Sequence, residues 1–161
     1  MIAQTSLVPQ GTLKIWIHAD GRLLACRRAR NMVLRSGAGL IAKLFTGTPD
    51  TAPVNHIRVG FAREAGSVDL AALTPPDPPI APEALQGSIG AQDFTVVADQ
   101  PGAIKVMVNA LFKPTVELKD VSEAGLMAGE VLYNQVVFEP VTLRPGQDVT
   151  FFWEIDFPFG R

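Results

Sequence analysis

The sequence predicts a mainly β fold, an antiparallel β-sandwich with one packed α-helix at about residues 36–46 and a long proline-rich loop. Three observations carry this expectation. Segments of alternating polarity recur at roughly 8–12-residue spacing, the rhythm of sandwiches and barrels. Proline and glycine turns separate them. No strand–helix–strand rhythm appears, so a parallel sheet is not expected.

The elements follow in order. In Thr12 to His18, Leu13, Ile15 and Ile17 share one face and Lys14, Trp16 and His18 the other. Asp20-Gly21 tolerates positive φ and closes a hairpin. The chain returns through Arg22 to Arg28, with Leu23, Leu24 and Cys26 available for burial. In the helix that follows, Ser36 is the expected cap, and Leu40, Ile41, Leu44 and Phe45 recur at helical spacing. Gly47 ends it. This stripe is expected to lie against a sheet. Val54 to Phe61 reads as a strand, with Ile57 and Val59 on one side and His56 and Arg58 on the other.

Pattern dissolves from Arg63 to Gly90. Asp69 to Leu73 fits one helical turn, and the prolines from Pro75 to Pro82 prohibit regular structure beyond it. Two readings stand for this stretch, a mobile connection or an extended arm ordered by lying on a neighbouring subunit. Phe94 to Ala98 is a strand. It is followed by one in which Ile104, Val106, Val108, Ala110 and Phe112 share a face. Thr115 to Val121 reads as a short strand, and Glu130 to Glu139 is extended between Gly129 and Pro140. Val149, Phe151, Trp153, Ile155, Phe157 and Phe159 then alternate with Glu154 and Asp156 among the opposing residues. The 161 residues fit one domain, with 1–11 as an N-terminal arm and 63–90 as an extended loop or arm.

Composition narrows the function classes. The net charge of -2 gives no general attraction to nucleic acid or anionic lipid. Basic residues bunch at Arg27, Arg28, Arg30 and Arg35. They read either as a solvated face or as a contact with an acidic neighbour or packaged nucleic acid. Cys26 is the only cysteine, so no intrachain disulfide forms. Met1 to Gly11 lacks the basic and apolar regions of a signal peptide, and no apolar run reaches membrane-span length. Synthesis in a cytoplasm is expected, with the chain soluble until it assembles.

The search for chemistry predicts no enzyme, no cofactor and no metal. His18 and His56 lie on different elements without ligand partners at metal spacing. Glu154 and Asp156 project about 6–7 Å apart from one strand face, an ordinary arrangement on a solvated sheet. Ser36-Gly37-Ala38-Gly39 lacks the lysine of a phosphate loop. No nucleophile elbow occurs.

One ordered set of motifs remains. Asn31-Met32-Val33 leads through Ser36-Gly37 to Leu44-Phe45-Thr46-Gly47, and Ile57-Arg58-Val59-Gly60 follows. Later come Ser122-Glu123-Ala124-Gly125-Leu126-Met127 and Val131-Leu132-Tyr133-Asn134-Gln135-Val136-Val137-Phe138. The series closes on Pro145-Gly146-Gln147-Asp148-Val149 and Phe152-Trp153-Glu154-Ile155. This order resembles small virion proteins of tailed phages and prophages, in the tail-fibre, baseplate and minor-tail group. Related proteins occur in phage-derived contractile injection systems. The likeness spans Asn31 to Phe157, and the chain departs from the group at Phe61, Met127, Asn134 and the insertion from Thr74 to Pro82.

The resemblance implies a structural subunit of a phage or phage-like particle that works through contacts with other particle proteins and forms a homo-oligomer. A capsid decoration protein and a carbohydrate-binding module are the alternatives. Partner contacts are expected at Trp16, Arg27, Arg28 and Arg30, and at Pro75, Pro76, Pro78 and Pro79. Independently of any family, Asn31 is expected to bond its own backbone at the helix entry. Gly60 and Gly125 fit bulges or places that a β-carbon would obstruct. Glu123 reads either as buried and bonded to backbone amides or as exposed.

Overall fold

The computed structural model describes residues 10–160. Within them stand β1 (Gln10–Ala19), β2 (Arg22–Val33), α1 (Arg35–Thr46), β3 (His56–Gly60) and β4 (Gln86–Ser88). They continue with β5 (Phe94–Val97), β6 (Ala103–Phe112), β7 (Leu118–Ala128), β8 (Val131–Leu132), β9 (Asn134–Leu143) and β10 (Asp148–Pro158). Every pairing is antiparallel. The strands form one sheet in the order β4-β3-β7-β9-β2-β1-β10-β6-β5, with β8 on β7.

The sheet curls so that its two halves face each other, which is how the sandwich is realised. β2 belongs to both halves. Its residues from Arg22 to Arg30 pair with β1, and Asn31–Val33 pair with Val136–Asn134 of β9. Leu13, Ile15 and Ile17, Val108 and Phe112, and Phe151 and Trp153 point inward from one half. They meet Ile57, Val59, Leu126, Val136 and Phe138 from the other. The free ends come together where β4 leans on β6. A β-carbon on Gly87 would stand 3.3 Å from the Phe112 ring, so glycine permits that approach.

The hairpin forms where the sequence places it. Asp20 (φ 50) and Gly21 (φ 73) take the two positive-φ positions of a turn matched to strand twist. One expectation fails on β2. Ile17 pairs with Ala25 but His18 with Leu23, so Leu24 is the extra residue of a bulge. Leu23 and Leu24 are left exposed, as is Cys26. Ala25, Ala29 and Val33 supply the inward contacts instead.

Further corrections concern boundaries. β1 begins at Gln10, so the expected arm at 1–11 is shorter at its inner end, and residues 1–9 lie outside the described residues. No helical turn forms at Asp69 to Leu73, where the chain makes a turn closed by Leu70 N donating to Ser67 O. The expected break after Val121 is absent, since β7 runs continuously from Leu118 to Ala128. Likewise β9 passes through Pro140 to Leu143.

β7 decides between the two readings of Glu123, which is buried and bonded to backbone amides. From Val121 to Ala128 every residue is buried, on both faces of the strand. The inner face packs in the main core, and the loop after β3 covers the outer one. Glu123, 0% exposed, ties that loop down. Its Oε1 accepts from the amides of Thr74 (2.8 Å) and Ala62 (3.3 Å), and its Oε2 from Gln135 Nε2 at 2.5 Å. Gln135 Oε1 in turn accepts from Gly66 N at 2.9 Å, and Ser122 Oγ donates to Ala62 O at 2.5 Å. Gly60 leaves the room that the Glu123 carboxyl occupies, and a β-carbon on Gly125 would meet Asn134 O at 2.6 Å. Of the two readings of these glycines, obstruction is the operative one.

The long loop is therefore fastened at both ends. Phe61 N donates to Thr74 O, and Leu70 and Leu73 pack on Leu34, Met127 and Leu132. At the other end Leu85 and Ile89 are buried and Ile80 packs on the core.

Candidate interaction site

Helix α1 leaves the sheet directly after β2, and its first turn is pinned. Leu34 N donates to Tyr133 O (3.1 Å), Arg35 N to Val68 O (2.8 Å) and Ser36 Oγ to Leu132 O (2.6 Å). Ser36 is thus a tether to the β8–β9 connection rather than the cap. Leu34 occupies the cap position, without a side-chain bond. Gly37 makes the contact possible, because a β-carbon there would overlap the Tyr133 carbonyl. The far end closes at Gly47 (φ 67), whose N–H returns to Leu44 O.

Beyond this anchor the helix stands away from the body. Only Gly37 and Leu40 are buried. The stripe expected against a sheet is split, with Leu40 buried, Ile41 and Leu44 each 39% exposed and Phe45 91% exposed. Beside it lies a groove of about 550 Å³ floored by Val33, Leu34, Tyr133 and Phe157 and walled by Ile41 and Val68. Its one charged margin, Arg35, pairs with Asp69 at 2.5 Å. The Asp69 hydrogen bond and charge hold Arg35 above the usual guanidinium range.

Tyr133, 2% exposed, forms the groove floor, and its hydroxyl has no hydrogen-bond partner. Burial pushes its pKa from 10.0 up to about 12. Two outcomes follow. The folded state holds the phenolic proton longer than the unfolded chain, so this contribution to stability is complete below pH 10 and is lost as pH rises toward 12. Tyr133→Phe leaves no buried partner orphaned, so it should change stability at neutral pH by under about 1 kcal/mol. It should also flatten the alkaline decline. Urea midpoints measured from pH 7 to 12 check both.

The expected contact residues are dispersed. Trp16 is half-buried on the outer face, tilted 44° against Phe152 with ring centroids 6.0 Å apart. Arg28 and Arg30 are exposed on the same outward side of β2, flanking a recess shared with Glu154 and Asp156. Arg27 turns the other way, and its guanidinium Nε and Nη2 donate to the carbonyls of Glu139 (2.9 Å) and Pro140 (3.0 Å). Pro75, Pro78 and Pro79 are exposed and Pro76 half-buried at the loop tip. The structure does not bring the tryptophan, the arginines and the prolines into one site.

Lys105 pairs with Glu154 at 3.3 Å across neighbouring strands. Asn31 makes no bond to its own backbone, and its amide lies over Gly11. His56 bonds through Nδ1 to Asn55 Oδ1 at 2.7 Å, and burial followed by the Arg58 charge holds its pKa below the usual imidazole value. No three His, Cys, Asp or Glu side chains gather as metal ligands among the described residues. Likewise no helix there is long and apolar enough to cross a membrane. Comparison with protein-family models, curated proteins and solved structures gave no match for this chain.

Proposed function

We propose that this protein is a non-catalytic structural subunit of a phage or phage-like particle. It would serve in the tail, baseplate or fibre attachment by burying its surface against neighbouring subunits. The observation that carries the reading is the outward apolar face of α1, where Phe45 stands in solvent and Ile41 and Leu44 are partly exposed beside an apolar groove. An exposed phenylalanine contributes nothing to the fold of the free chain. Contiguous apolar surface of this kind marks sites of association. A rigid anchor supports the same reading, since Gly37 and Ser36 fix the helix on the body and present its face without much loss of entropy on binding. The order of motifs from Asn31 to Phe157 supplies the particle class.

Phe45→Glu is the direct test. The side chain lies outside the core, so the circular dichroism spectrum and urea midpoint should stay within about 0.5 kcal/mol of the wild type. Self-association measured by sedimentation, or co-purification with particle proteins expressed alongside, should be lost. A wild-type chain that sediments as a strict monomer and ignores co-expressed tail and baseplate proteins would overturn the assignment.

A further inference from the structure

Two strand edges face each other at the mouth of the curled sheet without a shared backbone ladder among the described residues. β2 pairs with β9 only through Asn31–Val33. From Arg22 to Arg30 its ladder partners among the described residues lie on β1, and from Val137 to Leu143 those of β9 lie on β7. The facing edges therefore splay instead of zipping. Pro140 contributes to this, having no N–H to donate into a ladder.

Arg27 spans the gap. Its side chain comes from the β2 position opposite Ile15, and its guanidinium donates to the Glu139 and Pro140 carbonyls of β9 and to the Cys26 carbonyl of its own strand. A side chain thus supplies donors that a neighbouring strand's backbone supplies elsewhere in the sheet. A recess opens on each side of the bridge. One, of about 550 Å³, is bordered by Arg28 and Arg63, and the other, of about 410 Å³, by Leu24 and Arg144.

The seam is cationic in a chain whose net charge is -2. Arg27, Arg28 and Arg63 have no carboxyl oxygen within ion-pair distance among the described residues, and Arg144 stands 3.7 Å from Glu117. Among the described residues Glu139 is the one acid lining either recess.

We propose that this seam receives an extended acidic segment of a partner protein by strand addition. The segment's backbone would take the place of the Arg27 side chain between β2 and β9, meeting the Cys26, Glu139 and Pro140 carbonyls that Arg27 now bonds, and its carboxylates would meet Arg28 and Arg63. The site lies apart from α1 and does not rest on the particle assignment. Unpaired backbone edges favour a peptide over nucleic acid, which has no strand ladder to offer. Phe138, the one ring lining the recesses, is 7% exposed and packed in the core, so it provides no stacking platform.

The test titrates the intact protein with a short fluorescent peptide alternating glutamate and valine. Parallel titrations use its lysine–valine counterpart, a form N-methylated at alternate residues, and a single-stranded oligonucleotide. Saturable binding of the glutamate peptide is expected, weakened about tenfold or more by R28E/R63E, by N-methylation and by high salt. Both arginines are exposed, so the double variant keeps its core. Hydrogen exchange on the wild type gives a readout that needs no variant, with slower exchange expected at 22–30 and 137–143 when the peptide is bound. Failure of the glutamate peptide to bind, equal binding of the lysine peptide, indifference to N-methylation, preference for the oligonucleotide, or unchanged exchange in those strands would overturn the proposal.

Discussion

Glu123→Ala is expected to lower stability by about 3–5 kcal/mol, because each buried donor left without an acceptor costs ~1–3 kcal/mol and water entering the site recovers part of that. The donors concerned are Ala62 N, Thr74 N and Gln135 Nε2. Glu123→Gln separates hydrogen bonding from packing. It keeps the volume and one acceptor, but its new amide must face a donor. If Gln135 turns over to help, its own amide then faces Gly66 N. A loss of about 1–3 kcal/mol is expected for this variant. Limited proteolysis should cut the alanine variant between residues 61 and 74 before the sheet unfolds. Urea unfolding that gives equal midpoints for wild type and Glu123→Ala would show that the carboxyl holds nothing down.

Trp153→Ala should cost a similar amount, about 3–5 kcal/mol, for a different reason. The indole is 0% exposed and stacks on Phe151 at 5.9 Å, and Phe151 in turn meets the edge of Phe112 at 6.1 Å. Removing it opens a cavity in the part of the core where β1, β6 and β10 are rigidly paired. Trp153→Phe should cost under about 2 kcal/mol, since the indole N–H makes no hydrogen bond and only volume is lost. Chemical unfolding followed by circular dichroism measures both. A phenylalanine variant as unstable as the alanine one would mean that Nε1 has a partner after all.

These two residues mark where the sequence is readable. Trp153 lies on a strand with one wet and one dry face, so alternation with Glu154 and Asp156 places it inside, and the structure agrees. The hairpin at Asp20-Gly21 is readable for a local reason, its backbone conformation being written into two residues. Glu123 stands on a strand that is dry on both sides, where alternation vanishes, and its partners are amides of a loop about fifty to sixty residues away along the chain. No periodicity encodes that contact. The α1 stripe misleads in the opposite direction. Helical spacing identifies an apolar face, but not whether the sheet or another molecule covers it. The same holds for β2, where the bulge at Leu24 shifts the register and exposes leucines that composition assigns to the core. The seam beside β2 has no sequence signature beyond Pro140 and the bunching of arginines.

The position of β10 between β1 and β6 has a consequence for the order of folding. The last of these strands in chain order fills the middle of the sheet, joining the β1–β2 hairpin to a strand made some forty residues earlier. Until then β1 and β6 each carry an unsatisfied edge, and the nascent chain holds much of its future interior open. Folding thus waits for the closing segment, and contacts so distant in sequence set a slow pace, on the order of milliseconds to seconds. A chain cut short before Asp148 keeps the edges of β1 and β6 open and is left sticky. Pulse-labelled hydrogen exchange during refolding should therefore find the amides of β1 and β6 that face β10 protected only in step with those of β10 itself.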